Sequence, residues 1–391
     1  MKRLLTVLTA IVVISLVSAA IPTKVQAQSS DPTEPYPGLP LCAPDAYLSS
    51  PADCLALGPS KVLTDLANLG LSLPPKPLPA YSPDPALVQL NLKYALVSIP
   101  TGEQASIYPS LADAVAGQNP NSALGPGEEF YVSYTQGADV NGGHYLLTNL
   151  GWIRASPAEY STFQGLLFQQ TPANSFGWIV DNAQPHIAPA EEAPANGATL
   201  PLYTVVQIYQ TQQAEGTTWY MIGLNQWVDQ HYIRQVSIES KPPAGVDNNR
   251  WIEIDVDPFG QTLSVYDKGQ LVFATLIGSG RGPSFYTRPG LFKIYEKKMT
   301  DTMTGSFQKD KLDFYSLADV PWTMYYDESR ALHGAYWHAR WGYVISHGCV
   351  NMSVGDAHWL FNWAHVGDWV YVFDPSGQTP TDPSLYGPGA P

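Results

Sequence analysis

Prolines and glycines interrupt this sequence along its whole length and limit what it can fold into. The chain of 391 residues contains 35 Pro and 32 Gly, which end helices and central strands but suit turns. Hydrophobic residues make up 45% of it and aromatic residues 12%, which is enough to build packed cores. We therefore expect a mainly β protein of short strands, divided into two or three domains.

The N-terminus predicts export. Lys2 and Arg3 precede an apolar run over 4–20, and Val25-Gln26-Ala27 offers a small-residue cleavage site. We predict a signal peptide over 1–27, with an uncleaved membrane anchor as the alternative. No second apolar segment follows, so we expect no membrane span after cleavage. The protein would then work outside the cytoplasm, in the cell wall or periplasm. We also expect it to be a monomer.

Net charge and cysteine content narrow the chemistry further. The formal net charge of −14 argues against nucleic acid or anionic lipid as the main partner. Cys42 and Cys54 are close enough in sequence to bridge a short loop, as exported segments with small cores often require. Of the three cysteines, that pairing leaves Cys349 as a free thiol. A disulfide, a metal ligand and a buried structural residue are the other roles open to Cys349.

Composition and an internal repeat divide the upstream part of the chain. Residues 28–88 form a Pro-rich spacer that includes the Cys42–Cys54 pair, and 375–391 are predicted to be a disordered tail. Between them, HYLLTNLGWI and WYMIGLNQWV recur at an offset of 75 residues, from Trp152 to Trp227. Both copies are short alternating segments broken by Gly and Asn, which is typical of small antiparallel β modules. We place these modules at 89–165 and 166–240.

A separate unit is predicted over 249–374. WIEIDVD alternates like a strand, and TLSVYDKGQLVFATL is expected to form a hairpin that turns at Asp267-Lys268-Gly269. Further on, SVGDAHWLFNWAHVG is expected to be a helix with Ser353 as N-cap and Gly367 as its stop. DWVYVFD then forms a closing strand.

Between the hairpin and the helix, one short window gathers the groups that can do chemistry. ALHGAYWHARWGYVISHGCVNMS holds three of the eight histidines, together with Cys349. A thiol needs a base or a positive neighbour to act as a nucleophile. Gly348 would let a substrate backbone approach closely and leave nearby N–H groups facing a developing oxyanion.

SHGCVN, with His333-Gly334 upstream and a helix and strand downstream, resembles the L,D-transpeptidases with a YkuD-type catalytic domain. The resemblance covers about a third of the chain. It includes a Q-x-L hairpin at Gln261, and Thr287-Arg288-Pro289-Gly290 departs by one residue from the Thr-Pro-x-Gly element of that family. The two upstream modules resemble bacterial SH3-like domains more weakly, through their strand pattern. The implied fold is a β-sandwich-like catalytic domain with one helix after the catalytic loop, preceded by two SH3-like modules.

The resemblance also implies roles for individual residues. Cys349 would attack the peptide bond before the terminal D-alanine of a peptidoglycan tetrapeptide stem, and an amine of a second stem would then take the acyl group. His333 matches the general base, with His338 as the alternative because the spacing from His333 to the motif is short. The remaining implied site residues are Ser346 and His347 in support, the Gly348 backbone in the oxyanion hole, and Tyr315, Asn351, Trp337 and His338 at the substrate. The resemblance implies no metal and no cofactor. It does imply sensitivity to carbapenems.

Three other functions remain open. An L,D-carboxypeptidase would pass the same acyl group to water, and acceptor geometry, which the sequence does not give, separates the two reactions. A zinc hydrolase built on His333, His338, His347 and Cys349 is disfavoured by spacings that match no common ligand pattern. A non-catalytic wall-binding protein is disfavoured by the complete set of motif residues. The two modules would either bind the wall or only space the catalytic domain.

Overall fold

The computed structural model describes residues 65–72, 75–239, 241–247, 249–283, 285–306 and 312–386. The predicted signal peptide and the Cys42–Cys54 pair lie outside the described residues. Within them, no helix is long and apolar enough to cross a membrane. The α-helices are α1 (Leu111–Ala116) and α2 (Val354–Trp363). The strands are β1 (Ala80–Tyr81), β2 (Lys93–Leu96), β3 (Ala105–Ile107), β4 (Ser122–Leu124), β5 (Glu129–Tyr134), β6 (Gln136–Val140), β7 (Gly143–Thr148), β8 (Gly151–Arg154), β9 (Ser156–Pro157), β10 (Leu166–Phe168), β11 (Phe176–Ile179), β12 (Val205–Gln207), β13 (Gln210–Ala214), β14 (Thr217–Gly223), β15 (Gln226–Asp229), β16 (Ile233–Val236), β17 (Arg250–Asp255), β18 (Thr262–Asp267), β19 (Gln270–Leu276), β20 (Gly290–Lys293), β21 (Glu296–Gly305), β22 (Tyr315–Asp327), β23 (Arg330–Gly334), β24 (Val350–Met352) and β25 (Trp369–Phe373).

The first large sheet is centred on the predicted hairpin. Its strand order is β1-β10-β19-β18-β17-β25-β20, and β17 pairs with β25 in parallel. Lys268 and Gly269 have φ angles of 53° and 74°, which allow the tight turn between β18 and β19. Because β17 is covered on both faces, Ile252 and Ile254 lie in one core cluster while Trp251 lies in another.

The second large sheet carries the SHGCVN segment. Its path is β24-β23-β22-β5-β2-β9, with β21 also paired to β22. β23 and β24 run parallel, so His333 lies opposite Asn351 in the register. Side chains of both sheets and of α2 fill the core between the layers, and Val265, Met324, Leu332, Val350 and Leu360 are completely buried there. The predicted mainly β class, with a helix after the catalytic loop, is confirmed.

Helix α2 starts as predicted but ends early. The Ser353 hydroxyl accepts a hydrogen bond from the Asp356 N–H, which is N-cap geometry. The helix stops at Trp363, so the predicted stop at Gly367 is wrong. Lys297 Nζ donates to the carbonyl of Ala364 at 2.5 Å and Arg250 Nη2 to that of Trp363 at 2.5 Å. These cations satisfy the last carbonyls, and Gly367 has a positive φ only in the following turn.

The upstream repeat corresponds to two similar small sheets. β6, β7 and β8 form one antiparallel three-stranded sheet, and β13, β14 and β15 form another at the offset predicted from Trp152 and Trp227. Upstream strands also extend both large sheets, because β10 pairs with β19 and β5 pairs in parallel with β22. Within the predicted tail, Tyr386 lies over the Arg330 guanidinium at 5.2 Å. The upstream chain is therefore continuous with the sheets that carry the motif.

Candidate active site

The loop before β24 is held by two hydroxyl groups. The Ser346 hydroxyl donates to the Cys349 carbonyl at 2.5 Å and accepts from the Gly348 N–H at 3.1 Å. The Thr287 hydroxyl donates to the Gly348 carbonyl at 2.9 Å and accepts from the Gly280 N–H at 2.9 Å. Gly348 has a φ of 121°, which side-chain-bearing residues rarely adopt. The loop therefore has its shape before any substrate arrives.

Cys349 lies at the end of this loop, beside β23. Its thiol is partly exposed and contacts the Ser329 carbonyl at 3.8 Å. Burial raises the pKa of the Cys349 thiol, whereas the Ala331 N–H and the Arg330 guanidinium oppose that rise. At neutral pH the group is therefore a protonated thiol at rest, and its nucleophilic form has to be generated by a base.

His333, on β23, is a suitable base. It is almost completely buried, and burial lowers its pKa to about 4, so the imidazole is neutral at physiological pH and can accept a proton. The Nδ1 atom lies 3.4 Å from the Gly334 carbonyl, and the Trp337 ring lies 5.6 Å away. These neighbours restrict the orientation of the ring without adding a carboxylate.

His347 is held by its own contacts. Its ring stacks on Tyr315 at 5.0 Å and meets Phe285 edge-on at 4.9 Å, while Arg281 Nη2 lies 3.2 Å from Nε2. Burial and the Arg281 charge lower the pKa of His347 to about 4. This packing matches a supporting role better than proton transfer.

His338 is held by Asn351. The Asn351 side-chain amide donates to His338 Nε2 at 3.1 Å, and burial lowers the pKa of His338 to about 4. The Asn351 backbone forms a two-way bridge with Gly278 at 2.9 Å in each direction. Because Nε2 is occupied, His338 is less available as a base than His333 is.

One pocket of about 180 Å³ brings nearly all the predicted site residues together. Its lining includes the predicted residues Tyr315, His333, Trp337, His338, Ser346, His347, Cys349 and Asn351. Gly348 is not part of the lining, and its N–H is engaged by Ser346. Of the described residues, no group of three or more His, Cys, Asp or Glu side chains is arranged to hold a metal ion.

The same pocket contains residues that the sequence alone did not single out. They are Glu129, Arg281, Met303, Leu317 and Ile345. Arg281 lies among the glycines of GSGRG, and a charged residue in such a segment was a usable signal. Glu129 comes from β5, far upstream, and no local pattern marks it. Thr287 is a further omission, because its contact with Gly348 depends on the fold.

The C-terminal part of the chain is similar to known proteins. The family model for the L,D-transpeptidase catalytic domain, YkuD, matches residues 249–372. A cysteine-to-serine mutant of the Enterococcus faecium L,D-transpeptidase is 26% identical over 32% of this chain and 50% of that one, with a TM-score of 0.29. The NMR structure of the E. faecium catalytic domain is 27% identical over 33% of this chain and 100% of that one, with a TM-score of 0.29.

A more distant similarity is to Mycobacterium tuberculosis L,D-transpeptidase 1, at 20% identity over 38% of this chain and 76% of that one, with a TM-score of 0.27. No curated protein matches the sequence significantly. The chain spans half the length of the E. faecium mutant. The similarity therefore lies in the C-terminal part: residues 249–372 of this mainly β chain match the model of the YkuD L,D-transpeptidase catalytic domain, and this stretch contains the SHGCVN segment.

Proposed function

We propose that the protein is an exported peptidoglycan L,D-transpeptidase that works through Cys349. The observation that carries the proposal is the pocket in which the Cys349 thiol, the neutral His333 imidazole and the Ser346-braced loop meet. A nucleophile, a base and a preformed loop of small residues are the minimum for acyl transfer. A peptide bond is the substrate class expected of a YkuD domain.

The proposed reaction has two acyl transfers. The Cys349 thiol gives its proton to His333, and the sulfur bonds to the carbonyl carbon that precedes D-alanine. The peptide C–N bond breaks, D-alanine leaves with the proton, and a thioester remains. The free amine of an acceptor stem then bonds to the thioester carbon, the C–S bond breaks, and the amine proton returns to the sulfur. The Cys349 N–H is the loop donor proposed to stabilise the oxyanion in both steps, because the Gly348 N–H is engaged by the Ser346 hydroxyl.

Two finer parts of the proposal concern the rest of the chain. The signal peptide predicted over 1–27 supports action outside the cytoplasm. The two similar three-stranded sheets at 75-residue spacing support a pair of SH3-like modules, whose role is to bind the wall or to position the catalytic domain. The E. faecium catalytic domain has been solved acylated by ertapenem. On the motif resemblance, we propose that carbapenems acylate Cys349 as well.

The test is a product assay. Purified protein is incubated with a disaccharide-tetrapeptide, and the products are read by mass. A dimer lacking one D-alanine supports transpeptidation, a tripeptide monomer shows the L,D-carboxypeptidase alternative, and no turnover of any stem peptide contradicts both. Cys349→Ala should abolish turnover and ertapenem adducts. Loss of activity to a chelator, with Cys349→Ala still active, would instead favour a zinc hydrolase.

A further inference from the structure

Strand β5 carries an acidic residue into the candidate active site from upstream of the catalytic domain. β5 pairs in parallel with β22, and the register sets Glu129 beside Tyr315. Both residues line the pocket that contains Cys349 and His333. Burial raises the pKa of Tyr315, and the charges of Cys349 and Glu129 raise it further.

The Glu129 carboxylate can accept hydrogen bonds from a ligand in this pocket. Its side chain is half-buried, and within the described residues it makes no hydrogen bond and no ion pair. Burial raises the pKa of Glu129, with Arg281 in the same pocket opposing that rise and the neighbouring Glu128 adding to it. A half-buried carboxylate without a donor is stabilised by a ligand that brings a positive charge.

We propose that Glu129 binds the ammonium group of the acceptor stem peptide and so makes strand β5 part of the transpeptidase site. The inference rests on the proposed function and adds the residue that selects an amine over water. The side-chain amine of a diamino acid is an ammonium at neutral pH, so a carboxylate in the same pocket as the thioester raises its local concentration. The bound ammonium gives its extra proton to the neutral His333, and the resulting free amine bonds to the thioester carbon as the C–S bond breaks. Water is uncharged, so the Glu129 carboxylate does not raise its local concentration in the same way.

The experiment measures how the acyl-enzyme is partitioned. Wild type, Glu129→Gln and the matched control Glu128→Gln are each given a tetrapeptide donor and increasing amounts of an amine-bearing acceptor stem. Glu128 is the exposed neighbour, does not line the pocket and carries the same charge. We expect Glu129→Gln to raise the acceptor KM, and to lower the ratio of cross-linked dimer to hydrolysed tripeptide, by about tenfold. Glu128→Gln should match wild type.

A second variant separates recognition from folding. Glu129→Asp keeps the charge and should recover part of the dimer-to-tripeptide ratio, which a purely structural role would not produce. An unchanged ratio in Glu129→Gln would overturn the inference while leaving the proposed function intact. A fall in donor acylation as large as the fall in cross-linking would overturn it too, since Glu129 would then serve the donor or the fold. Failure of wild type to form any dimer would contradict the proposed function itself.

Discussion

Among the described residues, the Cys349 thiol lies against backbone groups, with no acidic or basic side chain at hydrogen-bonding distance. Its contact with the Ser329 carbonyl suits a protonated thiol, and burial raises its pKa. His333 is neutral for the same physical reason, because burial lowers its pKa to about 4. Groups with these resting states do not form a thiolate–imidazolium pair, so in the proposed mechanism the proton moves once substrate is bound.

This arrangement predicts how Cys349 reacts with an alkylating agent such as iodoacetamide. Because the thiolate is the reactive form, the alkylation rate should rise about tenfold per pH unit from pH 6 to pH 8, without a plateau. The measurement is peptide mapping by mass after timed alkylation, which reports Cys349 separately from Cys42 and Cys54. A rate that levels off below pH 7 would show a preformed thiolate and contradict the assignment of resting states.

Single residues differ in how far the sequence reveals them. Cys349 was identifiable because an odd cysteine next to a glycine, in a chain predicted to be exported, is rarely structural. His333 was proposed from the resemblance alone, and its short spacing to the motif left His338 open as the alternative. Glu129 was not identifiable, since its role depends on a parallel pairing between β5 and β22 across a long sequence separation. No periodicity or motif encodes such a pairing.

Among the connecting segments, the one at Thr287 fixes the catalytic loop to the first layer. Thr287 is almost completely buried, and its hydroxyl links the Gly280 N–H to the Gly348 carbonyl. Thr287→Val keeps the shape but leaves both backbone groups without a partner, at a cost of about 1–3 kcal/mol. We expect lower stability in urea unfolding and slower acylation by ertapenem.

Thr287→Ser is the matched control for this segment. It keeps the hydroxyl and should retain most of the acylation rate. If the Val and Ser variants acylate equally slowly, the lost methyl contact rather than the hydroxyl link would explain the effect, and the bracing role of Thr287 would be wrong.

Whole elements were predictable where their signals are local. The turn at Lys268-Gly269 and the Ser353 N-cap with Asp356 follow from backbone preferences of adjacent residues, and both predictions are confirmed. The end of α2 was misplaced because Lys297 and Arg250, from other elements, satisfy its last carbonyls. A glycine rule applied to the sequence cannot include such tertiary contacts.

At the scale of the molecule, the upstream chain and the catalytic domain share hydrogen-bonded sheets. β10 adds to the first large sheet at β19, and β5 adds to the second at β22. The Asp356 carboxylate connects the same parts, because it accepts from the Gly165 N–H at 2.8 Å and from the Thr275 hydroxyl at 2.5 Å. One of these links, β5, carries the pocket residue Glu129, so the packing of the upstream chain contributes directly to the lining of the pocket.

Buried carboxyl groups make the stability of the molecule depend on pH. Burial raises the pKa of Glu253 to about 7 and that of Asp356 to about 6, whereas carboxyl groups in the unfolded chain have a pKa of about 4. A raised folded pKa means that the native state binds more protons over this window. Its contribution is therefore fully present below about pH 4 and is lost as the pH rises through about 7.

Stability measured by urea unfolding should accordingly be higher at pH 5 than at pH 8, with Glu253 contributing about 3 kcal/mol at most to the difference. Glu253→Gln should reduce the difference, because the amide cannot ionise when it is buried beside Trp251 Nε1. Glu103→Gln, at an exposed position, changes the net charge equally and should leave the stability difference between pH 5 and pH 8 in place. This control separates the effect of local burial from the charge repulsion expected at a net charge of −14. A Glu253→Gln variant that loses as much stability as wild type between the two pH values would show that Glu253 is not the titrating group.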